Sequence, residues 1–182
     1  MLKHAMMTVG LIFSLSTLAS AQVGDGPFQM RALATLKAKD AIVVSNSGAS
    51  STVANPQNGS LCANVYALSA TTGLLLGCCS CQVRPDAAVS IPIMSDVLGN
   101  PKPKPKEVVI KLMATTGTSG VCNPTTPGTG ADVFVTGMTT WKGESPLTNV
   151  TLSAAELGAL TGQCTTLQPT GNICPVCVPP IS

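Results

Sequence analysis

The chain has 182 residues, of which 45% are hydrophobic, 10% are charged and 3% are aromatic, and its formal net charge is +2. This length fits one domain with a buried core, and so small a charge argues against a nucleic-acid partner. The single histidine, His4, lies in a segment that we expect to be removed. The mature chain then lacks the residue on which Ser-His-Asp mechanisms and His-ligated catalytic zinc sites depend. We therefore predict that the protein is not an enzyme, and we predict no cofactor or metal.

An export signal is predicted over residues 1–21. A short basic start precedes an apolar run, residues 5–18, that is too short to span a bilayer, and residues 19–21 (ASA) have the small-residue pattern that signal peptidases cleave. We expect the mature chain to begin at Gln22. It should be secreted, periplasmic or held at the cell surface, without stable insertion in the membrane.

The next segment, residues 22–60, is predicted to be an N-terminal arm with one or two strands and a polar loop. Residues 24–38 fit a strand by their alternation and a helix by their spacing, whereas residues 40–45 (DAIVVS) read as a compact apolar strand. Residues 46–60 are rich in turn-forming residues. This loop should separate the arm from a β-rich core, residues 61–167.

The clearest hairpin in the core joins residues 61–69 to residues 74–83 across a turn centred on Thr71 and Thr72. In that register Cys62 lies opposite Cys81, at a separation that a disulfide tolerates. We therefore predict a Cys62–Cys81 disulfide. A one-residue bulge would place another residue opposite Cys62.

Three cysteines fall close together in the second strand of this hairpin, in the stretch GCCSC. Cys79 points to the same face of the sheet as Cys81, and Cys78 points to the opposite face, because strand side chains alternate. A cluster that serves both faces is typical of structural disulfides rather than of a single metal centre.

Three further strands are predicted, at residues 87–94, 107–115 and 132–141. The connector GNPKPKPK, before the second of these, alternates proline with lysine and should be extended and solvated. Its lysines are interpreted either as a docking strip for an acidic partner or as residues that keep a sheet edge from pairing.

One short helix is predicted from residue 153 to about residue 167, because residues 153–156 (SAAE) fit a capping box. Cys164 lies on the apolar face of this helix, so a disulfide there would tie the helix to the sheet. Cys122 and Cys174 are the candidate partners of Cys164.

The tail, residues 168–182, is rich in proline and carries CPVC, Cys174 to Cys177. This spacing suits a thioredoxin-like redox pair or part of a cysteine-only metal site. An export signal and an even number of cysteines favour structural disulfides instead. The disulfide candidates are Cys62, Cys78, Cys79, Cys81, Cys122, Cys164, Cys174 and Cys177.

The cysteine pattern resembles that of a known group of proteins. The stretch from LCANVY to CCSC, followed by VVIKLMA, TLSAAELGALTGQC and the closing ICPVC, is similar to exported cysteine-rich proteins common in acidobacterial genomes. The resemblance implies a bacterial, exported protein with a shared fold. It implies no activity, because none is established for that group.

These elements predict an all-β fold, most simply an immunoglobulin-like or related β-sandwich that is cross-linked by disulfides and ends in one short helix. The function that we expect is a structural or adhesive cell-surface protein, able to assemble with itself or with other surface components by strand addition. The alternative is an extracellular binding module for a small ligand or polymer, with a groove near Trp141 or Tyr66. A minor alternative is thiol-disulfide exchange through Cys174 and Cys177.

Overall fold

A computed structural model describes residues 27–48, 59–116, 121–131, 135–140, 143–168, 174 and 177. The predicted signal segment therefore lies outside the described residues. Within them the elements, in chain order, are β1 (Phe28–Leu33), β2 (Ala41–Asn46), β3 (Leu61–Ser69), β4 (Leu75–Val83), β5 (Ala87–Pro92), a π-helical turn (Ile93–Val97), β6 (Val108–Thr116), β7 (Val135–Thr140), β8 (Gly143–Pro146), β9 (Thr148–Asn149) and α1 (Ala154–Leu167).

The strands form two antiparallel sheets. The larger sheet has the order β4-β3-β6-β1-β9 and the smaller sheet has the order β5-β2-β7-β8. Ile42 and Ile91 of the smaller sheet share one buried cluster with Val65 and Ile110 of the larger sheet. The mostly β fold with one C-terminal helix is thus confirmed. In the part of the chain that is described, no helix is both long and apolar enough to cross a bilayer.

The arm is built into both sheets. Its ambiguous first half is the strand β1, which pairs with β6, and its apolar segment is β2, which lies between β5 and β7. Leu33, Ile42 and Val44 are buried in the common core. Residues 28–46 of the predicted arm therefore pair with core strands and contribute apolar side chains to the common core.

The β3–β4 hairpin forms as predicted, but its register changes along its length. Leu68 lies opposite Leu75, in the predicted register, and the pairing then shifts so that Ala67 lies opposite Gly77. The extra residue is Leu76. Beyond this bulge Gln82, rather than Cys81, lies opposite Cys62. The bulge therefore removes the geometric basis for the predicted Cys62–Cys81 disulfide.

The outer face of the larger sheet is covered by a further layer. Every residue of β3 except Ser69 is buried, and the outward-facing Tyr66 and Leu68 pack in a second cluster with Leu160 and Cys164 of α1. A strand with both faces buried gives a continuous buried pattern rather than an alternating one. The predicted attachment of the helix to the sheet through Cys164 is therefore present, whereas the burial of both faces of β3 was not predicted.

The predicted capping box begins α1. Ser153 is the N-cap, its side-chain oxygen accepts a hydrogen bond from the Glu156 amide, and the Glu156 carboxylate accepts one from the Ser153 amide. Leu160 and Cys164 are buried on the sheet, whereas Leu167, which has the same helical spacing, is exposed.

The capping box predicts a pH dependence of the first turn of α1. The hydrogen bonds that Glu156 accepts from the Ser153 amide and hydroxyl lower the pKa of its carboxyl group in the folded helix. Their contribution is present above the ordinary pKa of glutamate and is lost as the pH falls through the lowered, folded pKa. Amide hydrogen exchange of Ser153 and Glu156, corrected for intrinsic exchange, should show reduced protection on acidification. Glu156→Gln keeps an acceptor without a titrating proton, so an equal loss of protection in that variant would contradict the prediction.

Candidate functional site

All eight cysteines are paired in four disulfides, and no free thiol remains. The sulfur pairs span 60 to 96 residues of sequence. The prediction of structural disulfides is confirmed for every candidate cysteine, whereas the one named pair is wrong. The pairs are Cys62–Cys122, Cys78–Cys164, Cys79–Cys174 and Cys81–Cys177.

The stretch GCCSC holds two different parts of the chain against one strand. Cys78 faces outward and bonds to Cys164 on α1, so the partner of Cys164 is neither of its two expected candidates. Cys79 and Cys81 face the core and bond to the two tail cysteines. The cluster therefore serves both faces of the sheet, as predicted from the alternation of side chains along a strand.

The CPVC motif contains no disulfide of its own. Cys174 and Cys177 bond to different cysteines of β4, and Cys174 is fully buried. Exchange chemistry through this motif would require these two bonds to be opened first. Among the described residues no group of three or more His, Cys, Asp and Glu side chains could hold a metal ion.

These connections close the outer edge of β4, which is the last strand of the larger sheet. The Leu75 amide donates to Oε1 of Gln163 on α1 at 2.9 Å, and the Ser80 carbonyl accepts from the Cys174 amide at 3.0 Å. Between them, the π-helical turn brings the Val97 carbonyl directly against Gly77. An edge strand with open backbone groups is a template for unwanted pairing, and here three separate segments cover it.

Tyr66 is part of the core and cannot line a surface groove. Its side chain is 1% exposed, and its hydroxyl donates to the Pro124 carbonyl at 2.7 Å. Burial raises the pKa of Tyr66 above its ordinary value, so the phenol stays neutral as a donor. The prediction of a binding role for Tyr66 is therefore wrong, and Trp141 lies outside the described residues.

Tyr66→Phe should lower the free energy of unfolding by about 2 kcal/mol, because it leaves the buried Pro124 carbonyl without its donor. Urea unfolding measures this change. A matched control is Thr125→Val, which removes a half-buried hydroxyl that bonds only within its own turn. Equal losses in the two variants would show that the Tyr66 hydroxyl has no special role in holding the loop that contains Pro124.

One cleft opens beside the covered edge. It has a volume of about 310 Å³, and its apolar wall includes Leu76 and Leu167, which are 37% and 49% exposed. On its polar side the Ser95 hydroxyl donates to Oδ1 of Asp96 at 2.6 Å. The lining residues are Leu76, Gly77, Ser95, Asp96, Val97, Leu98, Gly99, Leu167 and Gln168.

This cleft could not be predicted from the sequence, for a structural reason. Leu76 reads as an ordinary strand residue, and only the bulge places it outside the ladder. Leu167 has the helical spacing of the buried face of α1, although it is 49% exposed. An apolar residue that breaks the alternation next to a turn is the one signal that could have indicated the position of Leu76.

No protein-family model, no curated protein and no solved structure matches this chain. Its function therefore has to follow from the chemistry of its own residues.

Proposed function

We propose that the chain is an exported structural or adhesive protein of a bacterial cell surface. The observation that carries the proposal is the complete pairing of eight cysteines. Disulfides of this kind form and persist outside the reducing cytosol, in agreement with the export signal predicted over residues 1–21. The bacterial origin rests on the resemblance to exported acidobacterial proteins.

The placement of the cross-links supports a structural role. Three of the four disulfides join one edge strand, β4, to α1 and to the tail. Cross-links of long sequence separation stabilise a fold chiefly by restricting the unfolded chain. A protein that works outside the cell, without chaperones, gains from such restriction.

Strand topology supports an immunoglobulin-like arrangement as part of the proposal. In that fold the second strand pairs with the fifth in one sheet, while the third pairs with the sixth in the other. Here β2 pairs with β5 and β3 pairs with β6, in separate sheets. The two arrangements therefore share these two strand pairings, each in a different sheet.

Self-assembly, if the protein is a subunit, is best supported at β5. This strand ends the smaller sheet, and Ala88 and Ser90 are exposed. The hydrogen bond from the Ile93 amide to the Asp40 carbonyl fixes which residues of β5 bond to β2. Because alternate residues bond on opposite sides, the backbone groups of Ala88 and Ser90 point away from β2, where strand addition takes place.

The proposal is tested by locating the protein and by measuring its assembly. Antibody labelling of intact host cells, with fractionation, should place the protein outside the cytoplasm. Sedimentation over a range of concentrations should then show association that Ser90→Lys weakens, because a lysine on an edge strand disfavours pairing. The control is Thr165→Lys on the exposed face of α1. A cytoplasmic protein would overturn the proposal, and a monomer at every concentration would overturn the assembly at β5.

The cleft beside β4 favours a second candidate, a binding module for a small apolar ligand. Its volume of about 310 Å³ lies at the lower end of the range for ligand sites. Anilinonaphthalenesulfonate is a suitable probe, and Leu167→Gln should weaken its binding. Val121→Gln is the control, because Val121 is 69% exposed but does not line the cleft. Equal binding by both variants would exclude the cleft as the site.

A further inference from the structure

Two lysine-bearing loops that are far apart in the sequence meet at one end of the molecule. The Leu36 amide, in the loop after β1, donates to the carbonyl of Lys106, in the loop before β6, at 2.7 Å. The first loop carries Lys37 and Lys39, and the second carries Lys102, Lys104 and Lys106. All five lysine residues are exposed. We call this group the lysine cluster.

The first loop is held firmly, so that its two lysines stay at the surface. Leu36 is anchored in the core at 8% exposure. The carboxylate of the buried Asp40 accepts from the Lys37 amide at 2.8 Å, and the Asp40 carbonyl accepts from the Ile93 amide at 3.0 Å. These bonds fix the backbone on which Lys37 and Lys39 are displayed.

The charge of the protein is concentrated in this region. Residues 36–40 and 101–107 hold five lysines against Asp40 and Glu107, a net charge of +3. The rest of the chain has five basic and six acidic residues and so carries −1, in agreement with the total of +2. The weak total charge therefore conceals a local cationic surface, and such a surface attracts polyanions.

We propose that the lysine cluster binds an acidic polysaccharide, a linear polymer of carboxylated sugars. The proposal rests on the proposed export of the protein, since such polymers lie outside the cell. The proposal specifies how the protein would adhere to such a polymer. The lysine ammonium groups of two adjacent loops contact successive carboxylates of one polysaccharide molecule. The docking strip expected from GNPKPKPK is then only half of the site.

The composition of the two loops favours a polysaccharide over a membrane or a nucleic acid. Neither loop has an aromatic side chain that could stack on bases. Among the described residues the exposed large apolar side chains, which could enter a bilayer, lie elsewhere, at Leu74, Leu76, Val121 and Leu167. The cluster also contains no arginine, which is the residue that binds phosphate with two parallel hydrogen bonds. Lysine serves as a point charge for dispersed carboxylates.

The experiment measures binding of the purified, oxidised protein to polygalacturonate, with neutral dextran as the uncharged polymer. Affinity should be detectable at low ionic strength and should fall at least about tenfold between about 0.02 M and 0.2 M salt. Lys102→Gln/Lys104→Gln/Lys106→Gln should weaken binding about tenfold, and Lys37→Gln/Lys39→Gln about fivefold. The matched control, Arg84→Gln/Lys111→Gln, removes two positive charges outside the cluster and should change binding by less than about twofold.

Several results would overturn the proposal. One is an equal loss of affinity in the control and in Lys37→Gln/Lys39→Gln, because total charge would then explain binding. Another is tighter binding to phosphatidylglycerol vesicles or to duplex DNA, since either would name a different partner. Absence of polygalacturonate binding also rejects the proposed role of the lysine cluster. The proposed function would still be tested independently by surface labelling of cells. Conversely, a cytoplasmic location with intact cluster-dependent binding would reject the proposed function alone.

Discussion

Replacement of Cys62 and Cys122 together by alanine is expected to lower the free energy of unfolding by about 4 kcal/mol. Replacement of Cys79 and Cys174 should cost only about 2 kcal/mol. Sequence separation alone would predict the larger loss for Cys79–Cys174, because that pair spans 95 residues and Cys62–Cys122 spans 60. We expect the opposite order of losses.

The reason is that a disulfide adds little restriction to an unfolded chain that neighbouring disulfides already restrict. Cys79–Cys174 lies between Cys78–Cys164 and Cys81–Cys177. With Cys81–Cys177 in place, the bond from Cys79 closes a ring of only residues 79–81 and 174–177. The bond from Cys62 to Cys122 has no such neighbour, so its removal frees a long loop.

Urea unfolding without reductant, on variants whose three remaining disulfides are verified by mass, measures both losses. All four replaced cysteines are buried, so the cavities left by the sulfur atoms are comparable. A larger loss for Cys79 and Cys174 would contradict the view that the disulfides of β4 act as one unit. In the variant without all three β4 disulfides, the loss should exceed the sum of the three single losses.

Gly77→Ala is expected to destabilise the fold by about 3 kcal/mol. A Cβ atom at Gly77 would overlap the backbone carbonyl of Val97, in the π-helical turn that covers the edge of β4. Backbone cannot move aside as a flexible side chain can. The turn must therefore shift, and Ile93 and Val97, which it buries, must shift with it.

Gly158→Ala is the matched control, because nothing lies within 4 Å of a Cβ atom built at that helical position. It should stabilise α1 by up to about 1 kcal/mol. Thermal or urea unfolding of both variants gives the comparison. Sedimentation of Gly77→Ala should also show stronger association than the parent, because displacing the turn opens the edge of β4. A Gly77→Ala protein as stable as the parent would show that the turn can yield without loss.

Much of the candidate site could be predicted where the signal is local. The alternation along GCCSC assigned Cys78 to one face and Cys79 and Cys81 to the other, and the structure agrees. The predicted partners of Cys62 and Cys164 were wrong. Cys122 and the tail cysteines come from segments without a regular repeat, so no periodicity relates Cys122 to Cys62 on β3 or the tail cysteines to β4.

Six strands, β2 to β7, the capped helix and the use of the cysteines as disulfides could be predicted from the sequence. Each of them depends on neighbouring residues or on the compartment that the predicted export signal implies. The register beyond Leu76, the burial of Tyr66 and the meeting of the two lysine loops become visible only in the folded chain. Each of these depends on backbone groups far apart in sequence, and the physical reason is the same. A bulge or a covering layer forms where it satisfies the packing and hydrogen bonding of the whole sheet, which local patterns do not record.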